Sequence, residues 1–478
     1  MYQPVTYAAQ LPEAPQAAAI IDVTSPYTGE IVGRVHEATP DIIDHAFATA
    51  ERAQREILPR LNAADRARIL QRTADLVEAH TEDYALMIAL EGGKPLSDAR
   101  AETVRAVNTL RLSATVALTL AGETPVMDQS GAGAAKISFT LREPIGVVSS
   151  ISAFNHPLNL AAHLVGPAFA AGNAVVLKPA TTTPLCSMKL GRHFLEAGLP
   201  PEALGIIDCE PPLAELCVTD ERIRFLNFIG SEKVGWQLRG KLPAGARLML
   251  EHGGTAPAIV APDADLDRAA RACVKGGFYH AGQVCVSLQR LYLHERIYDD
   301  FMARFSPLVN DLKVGDPTLP ETEVGPLIRP AALDRVEQWV KEAVAQGAKL
   351  TDGGARLDHN CYAPTILEHV KPGMKVHDEE IFGPVVVVLP YRDLDTVISA
   401  ANNSPYAFQS SIFTSDVNTA LYAARRLDST GVMINDHPAF RVDWMPFGGR
   451  KASGIGMGGV RYAAEEMSQL KIINIHNP

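Results

Sequence analysis

The feature that most limits what this chain can fold into is a repeated alternation of short β-rich runs with amphipathic stretches. Ile145 to Ile151, Asn173 to Lys178, Leu204 to Cys209, Arg222 to Phe228 and Arg247 to Glu251 are apolar runs of strand length. Leu158 to Ala171 and Pro184 to Ala197, which fall between them, have helical periodicity. Strands that alternate with helices predict a parallel sheet covered on both faces. The alternation resumes after Gly253-Gly254. Strands are expected at Ala256 to Val260, Leu288 to Glu295, Val385 to Pro390 and Ser410 to Thr414, and helices at Asp265 to Gly276, Ile297 to Leu312 and Asp416 to Leu427. Mostly helical sequence precedes the first series: Ile42 to Leu58, Ala63 to His80, Thr81 to Leu90 and Ser97 to Leu118. The expected architecture is two α/β domains that meet near Glu251 to Gly254.

The chain has 478 residues, enough for more than one buried core. It carries 44 basic and 55 acidic residues, a net charge of -11, with no basic block. That balance excludes the usual nucleic-acid and anionic-membrane binders. The most apolar stretch, Leu158 to Leu177, is interrupted by Asn159, His163, Pro167 and Asn173, so a buried helix, turn and strand is expected and not a membrane span. The N-terminal residues have no basic-then-apolar export pattern, and a reducing cytoplasm is the expected setting. Six cysteines form no CxxC pair, and no HExxH or Walker lysine occurs, so no metal is implied.

Three residues stand in positions suited to chemistry on a carbonyl. Cys285 lies in His280-Ala281-Gly282-Gln283-Val284-Cys285, just before a strand, whereas Cys186, Cys209, Cys217, Cys273 and Cys361 sit in ordinary core contexts. Glu251 ends a strand, at the edge of an α/β sheet where ligands collect. Asn155, between a strand and a helix, is either an oxyanion donor or a plain helix cap. A nucleophile, a base and an oxyanion donor are the parts that covalent catalysis on a carbonyl needs. Gly454-Ile455-Gly456-Met457-Gly458-Gly459 contains GxGxxG, but too little chain follows for a βαβ unit, so it is not a dinucleotide fingerprint.

Seven segments then occur in order: AlaPheAsnHisPro around Asn155, LysProAla from Lys178, PheIleGlySer from Phe228, LeuGluHisGlyGly around Glu251, GlyGlnValCys ending at Cys285, GluIlePheGlyPro from Glu380, and ProPheGlyGlyArgLysAlaSerGly from Pro446. The series resembles the aldehyde dehydrogenase superfamily over nearly the full chain. The resemblance implies two Rossmann-like parallel-sheet domains and a small β oligomerisation arm. Residues 1–123 and 143–252 would bind the cofactor, 253–445 would form the catalytic domain, and 124–142 with 460–478 would make subunit contacts in a homodimer or homotetramer. It also implies an enzyme that oxidises an aldehyde to a carboxylic acid with NAD or NADP. Cys285 would attack the aldehyde, Asn155 would hold the oxyanion, and Glu251 would activate the water that hydrolyses the thioester. A base at Glu251 sets this chain apart from CoA-acylating reductases, which must keep water off the thioester, and the complete set argues against an inactive structural homologue.

By the same resemblance, Lys178 would contact the adenosine ribose, and Gly230 and Ser231 would form the pyrophosphate turn. Glu380 would hold the nicotinamide ribose, with Phe382 flanking the ring. Thr181 stands where the family commonly has a glutamate that repels a 2′-phosphate, so tolerance of or preference for NADP is expected. For the substrate, His156, Arg105 and Arg441 make a plausible cradle for an anionic tail, similar to that of phosphonoacetaldehyde dehydrogenases. Those enzymes often have arginine just before the cysteine, where this chain has Val284. The alternative is a small neutral or aromatic aldehyde in an apolar funnel of Phe154, Phe440 and Trp444.

Overall fold

A computed structural model describes residues 3–17 and 19–476. The first sheet has six strands in the order Gly454–Ile455, Arg247–Glu251, Ile223–Ile229, Val147–Ile151, Val175–Lys178, Leu204–Ile206. All neighbours run parallel except the Gly454–Ile455 edge, which is antiparallel to Arg247–Glu251. The chain builds outward from Val147–Ile151 to one side, then crosses to the other. The crevice at that switch of direction lies between the carboxyl ends of Val147–Ile151 and Ile223–Ile229, where α/β sheets place their ligands. The residues that leave those two ends are Ser152 to Asn155 and Gly230-Ser231.

The second sheet has seven strands: Lys349–Asp352, Thr365–Glu368, Val385–Tyr391, Leu288–His294, Ala256–Val260, Gln409–Phe413, Gly431–Ile434. Only Lys349–Asp352 is antiparallel to its neighbour. Val385 to Leu389 are all buried, as a strand covered on both faces requires. Each sheet has its own apolar core, and the first also takes in the helices Pro40–Glu56, Ala63–Ala79, Thr81–Gly92 and Leu96–Thr119. Side-chain caps fix several helix starts: Thr39, Asn62, Asp265, Asp393 and Asp416 each accept a backbone N–H of the first turn. No helix among the described residues is long and apolar enough to cross a membrane.

The C-terminal segment departs from the expected arm. Val460–Glu466 is a helix whose Val460, Ala463 and Ala464, with Met467, are buried in the first core. Their spacing of three and four is the helical period, which the expected extended arm overlooked. The arm proper is an antiparallel pair, Lys136–Pro144 with Ser468–His476; residues 477 and 478 lie outside the described residues. A further three-stranded sheet, Val5–Tyr7, Ile31–His36 and Ile20–Thr24, opens the chain.

Candidate active site

A cavity of about 500 Å³ opens between the two sheets and is lined by Asn155, Glu251 and Cys285 together, though they lie far apart in sequence. Each comes from a different structural device. Glu251 ends its strand and is pinned there by the edge strand, where Gly454 pairs with Glu251. A Cβ on Gly454, at φ +147°, would sit 2.1 Å from the Leu250 carbonyl oxygen, so only glycine lets the edge lie this close. The sequence read this glycine as part of a decoy; its place is beside Glu251.

Cys285 follows a tight loop in which His280, Ala281 and Gly282 take φ of 48°, 54° and 69°. Consecutive left-handed residues are costly for side-chain-bearing residues and persist only where neighbours over-determine them. Gln283 does so: its Oε1 accepts from Ile328 N at 3.0 Å, and its Nε2 donates to Pro326 O at 3.2 Å. Asn155 donates one Nδ2 hydrogen to the Gln283 carbonyl at 2.9 Å. The amide has a second hydrogen, which remains available for the cavity.

Burial pushes the Cys285 thiol well above the ordinary thiol range; Glu251 adds to the rise and Arg441 opposes it. Burial likewise raises Glu251, against the pull of Arg441. The resting pair therefore favours a neutral thiol, with a carboxyl group of raised basicity beside it.

At the base of the Pro157–Ala170 helix His156 joins a buried cluster whose other members, Lys94 and Glu102, sequence reasoning did not single out. Glu102 accepts from Leu158 N and Asn159 N through Oε1, at 3.0 and 3.1 Å. It also takes a hydrogen bond from Lys94, and Lys94 lies 2.8 Å from His156 Nδ1. All three are buried, and the helix N-terminus that they hold follows directly on Asn155. Nothing in the sequence separates Glu102 from the other acids of its helix.

The proposed anion cradle comes apart in an informative way. Arg105 lines the cavity but is paired with Asp443, Nη2 to Oδ1 at 2.8 Å. Asp443 also faces His163 Nε2 at 2.9 Å and accepts from Asn159 Nδ2 at 3.2 Å. His156 lines the cavity as a neutral ring: burial, then the Lys94 charge, brings its pKa down to about 3. It is therefore no cation for a tail. Arg441 is different. Its nearest carboxylate oxygen is Glu251 Oε1 at 4.0 Å, its Nε is buried without a hydrogen-bond partner, and its guanidinium covers the Phe447 ring at 3.6 Å.

The apolar funnel fares worse. Phe154 lines the cavity, edge-on to Phe382 with centroids 5.8 Å apart. Phe440 and Trp444 do not line it and are 39% and 62% exposed. The turn that buries Asp443 against Arg105 and His163 directs its neighbour Trp444 outward.

Toward the other end, the cavity wall includes Ala180, Gly230, Ser231, Glu380 and Phe382. Glu380 Oε1 accepts from Gly254 N at 3.0 Å, and burial pushes its carboxyl up to about 8. Gly230 and Ser231 precede the Glu232–Arg239 helix. Lys178 and Thr181 are not in the wall; they flank Ala180, and Lys178 is buried. No group of three or more His, Cys, Asp or Glu suited to a metal occurs among the described residues.

Residues 13–473 match the model of the aldehyde dehydrogenase family. A 3-sulfolactaldehyde dehydrogenase of Priestia aryabhattai is 40% identical over 455 residues, 95% of this chain and 94% of that protein. Among solved structures, aldehyde dehydrogenase 21 from Physcomitrella patens, in complex with its reaction product succinate, superposes with a TM-score of 0.96 at 38% identity and covers 99% of both chains. The glyceraldehyde-3-phosphate dehydrogenase GapN of Methanocaldococcus jannaschii, complexed with NADP, has a TM-score of 0.91 at 36% identity, covering 95% of this chain and 99% of that one. Similarity of this extent reaches across both sheets and every segment that lines the cavity: the chain belongs to the aldehyde dehydrogenase family and is an aldehyde dehydrogenase.

Proposed function

We propose that this enzyme oxidises a short aldehyde with an anionic tail to the carboxylic acid, through a thioester on Cys285. The cofactor is NAD or NADP. The fit of the residues supports such a group: the cavity runs from Cys285 to Gly230, and a Cβ on Gly230 would meet the Phe228 ring at 2.7 Å, which keeps that turn low and open. Gly230 and Ser231 would take the pyrophosphate, Glu380 the nicotinamide ribose and Phe382 the ring face, with Lys178 and Thr181 under the adenosine ribose. Bound NAD(P) supplies the hydride acceptor of the reaction.

The protein's own residues do the rest. The Cys285 thiol loses its proton to water, which leaves the thiolate as nucleophile and Glu251 unprotonated. The sulfur bonds to the carbonyl carbon, and the free Asn155 amide hydrogen and a backbone N–H stabilise the oxyanion. After oxidation the acyl group is held on Cys285 as a thioester. Glu251 then takes a proton from water, hydroxide adds to the thioester carbon, and the C–S bond breaks to release the acid.

The single observation that carries the anionic tail is the state of Arg441. Arg105 is neutralised by Asp443 and His156 is uncharged, whereas Arg441 is buried at the cysteine end with an unpartnered Nε. A sulfolactaldehyde dehydrogenase and a succinate-forming relative act on aldehydes with sulfonate and carboxylate tails, and both likenesses favour this reading. Succinic semialdehyde against butanal, of equal carbon length, tests it. A charge-assisted contact contributes about 1.5–3 kcal/mol, so kcat/KM should favour the semialdehyde by roughly 10- to 150-fold. Equal use of the two, or a preference for butanal or benzaldehyde, would return the neutral-aldehyde reading.

The exposed Ile137, Leu141, Leu470, Ile472 and Ile475 of the arm support assembly as a homodimer or homotetramer. Six free cysteines suit a reducing cytoplasm.

A further inference from the structure

Lys178 was expected at the adenosine ribose, in a site that tolerates or prefers NADP. Its surroundings lead elsewhere. An ammonium group has three hydrogens to donate. Here Nζ bonds Pro179 O at 3.0 Å, Thr181 Oγ1 at 2.8 Å and Asp208 Oδ1 at 3.1 Å. All three donors are used, one of them on a carboxylate that is fully buried. Thr181 is committed in the same way, since its hydroxyl donates toward Asp208 Oδ1 at 3.2 Å or Cys209 O at 3.3 Å.

Asp208 is not free to leave. Its Oδ1 also accepts from Cys209 N at 3.0 Å, and its own carbonyl accepts from Ala38 N at 2.7 Å. Its other oxygen, Oδ2, is buried with no partner, so every hydrogen bond that holds the carboxylate falls on Oδ1. Nothing in the sequence marked this residue, because it lies inside a short run, Leu204 to Cys209, otherwise typical of a core strand.

We propose that Asp208 is the cofactor-specificity determinant of this enzyme: by saturating Lys178 and Thr181 it favours NAD over NADP. The proposal rests on the reading of Lys178 as the residue beneath the adenosine ribose. A 2′-phosphate offers acceptors only and needs donors, and the donors here are spent. It would also bring its charge toward a fixed carboxylate. A ribose 2′-hydroxyl can donate, and Thr181 Oγ1 keeps a second lone pair for it. The missing glutamate at Thr181 therefore does not open the site to NADP, because the negative charge has moved from the surface to a buried position behind the lysine.

Calorimetric titration of the intact enzyme with NAD and with NADP provides a readout independent of turnover. Wild type should bind NAD more tightly by at least about tenfold, and NADP binding as tight as NAD would overturn the proposal without any variant. Asp208→Asn keeps the shape and one acceptor but removes the charge. It should strengthen NADP binding about tenfold while NAD moves less than about threefold. A parallel change for both cofactors would overturn the role of Asp208. In that same background, Lys178→Met should abolish the gain in NADP binding. If it does not, the fault lies with the placement of Lys178 under the ribose and not with the charge argument. Melting temperatures of both variants show whether the fold is kept.

Discussion

Replacing Arg441 with methionine separates substrate recognition from everything else in the cavity. The side chain is 11% exposed, lies over Phe447 at 3.6 Å and stands 4.0 Å from Glu251. Methionine preserves an apolar chain against the ring, where sulfur–aromatic contact replaces cation–π contact. The charge alone is lost. A charge-assisted hydrogen bond to a carboxylate or sulfonate tail contributes about 1.5–3 kcal/mol, and about 1.4 kcal/mol is tenfold. The kcat/KM for succinic semialdehyde should fall roughly 10- to 150-fold, and that for butanal should change less than about threefold. A second consequence has a definite sign. Arg441 holds the Glu251 carboxyl down against the effect of burial, so its removal raises the pKa of the base. A base must be unprotonated to act, and the acidic limb of the turnover profile should shift to higher pH for both aldehydes. Formation of the reduced cofactor, followed by absorbance across a pH series, measures both effects. Equal losses on the two aldehydes with an unchanged melting temperature would refute the assignment of Arg441 to the tail.

Three further outcomes follow from the buried groups. Glu251→Gln should keep a rapid first turnover of about one reduced cofactor per site and lose steady-state release, as stopped-flow traces would show. Lys94→Met strands the Glu102 carboxylate in the core, and breaking such a pair costs about 3–5 kcal/mol. Denaturant melts should show that loss, and Lys94→Met with Glu102→Leu should recover part of it. Burial pushes Glu91 up from 4.5 to about 7, so between those values the native state holds a proton that the unfolded chain has released. Stability therefore falls as pH rises through that window. Glu91→Gln, which retains an acceptor for Leu185 N or Cys186 N, should flatten the melting temperature against pH there.

The sequence carried most of the fold because its alternation of strands and helices is a local signal. It missed Thr365–Glu368, Gly431–Ile434 and Pro330–Ala345, of which the first two are only four residues long. Short strands of that kind gain their identity from neighbours in the sheet and not from their own residues. The residues now lining one cavity were legible as a motif series, and Cys285, Asn155 and Glu251 do meet there. What could not be read was charge pairing across distance. Arg105 looked free until Asp443 closed on it from 338 positions away. Asp208 and Glu102 carry no local mark at all, since a buried acid differs from a solvated one only by its partners.

On the proposed reading, the same pairing lets an acidic protein select an anionic tail. Around the cavity, Lys94 is matched by Glu102, Arg105 by Asp443 and Lys178 by Asp208. In each pair the opposite charges largely cancel at a distance, so none offers a free charge to a ligand; Lys94–Glu102 and Lys178–Asp208 are buried, and Arg105 is partly exposed over a buried Asp443. Arg441 and Glu251 are the exception: they face each other at 4.0 Å, too far for a bond and close enough to sense one another. A tail anion that pairs with Arg441 weakens its hold on Glu251 and makes that carboxylate a stronger base. Substrates without the anion leave Glu251 as it was. Recognition and deacylation would then be linked through one guanidinium, and the acid limbs of turnover for wild-type enzyme should differ between succinic semialdehyde and butanal, with the semialdehyde limb at higher pH. In Arg441→Met that difference should vanish; if it persists, the link runs through another group.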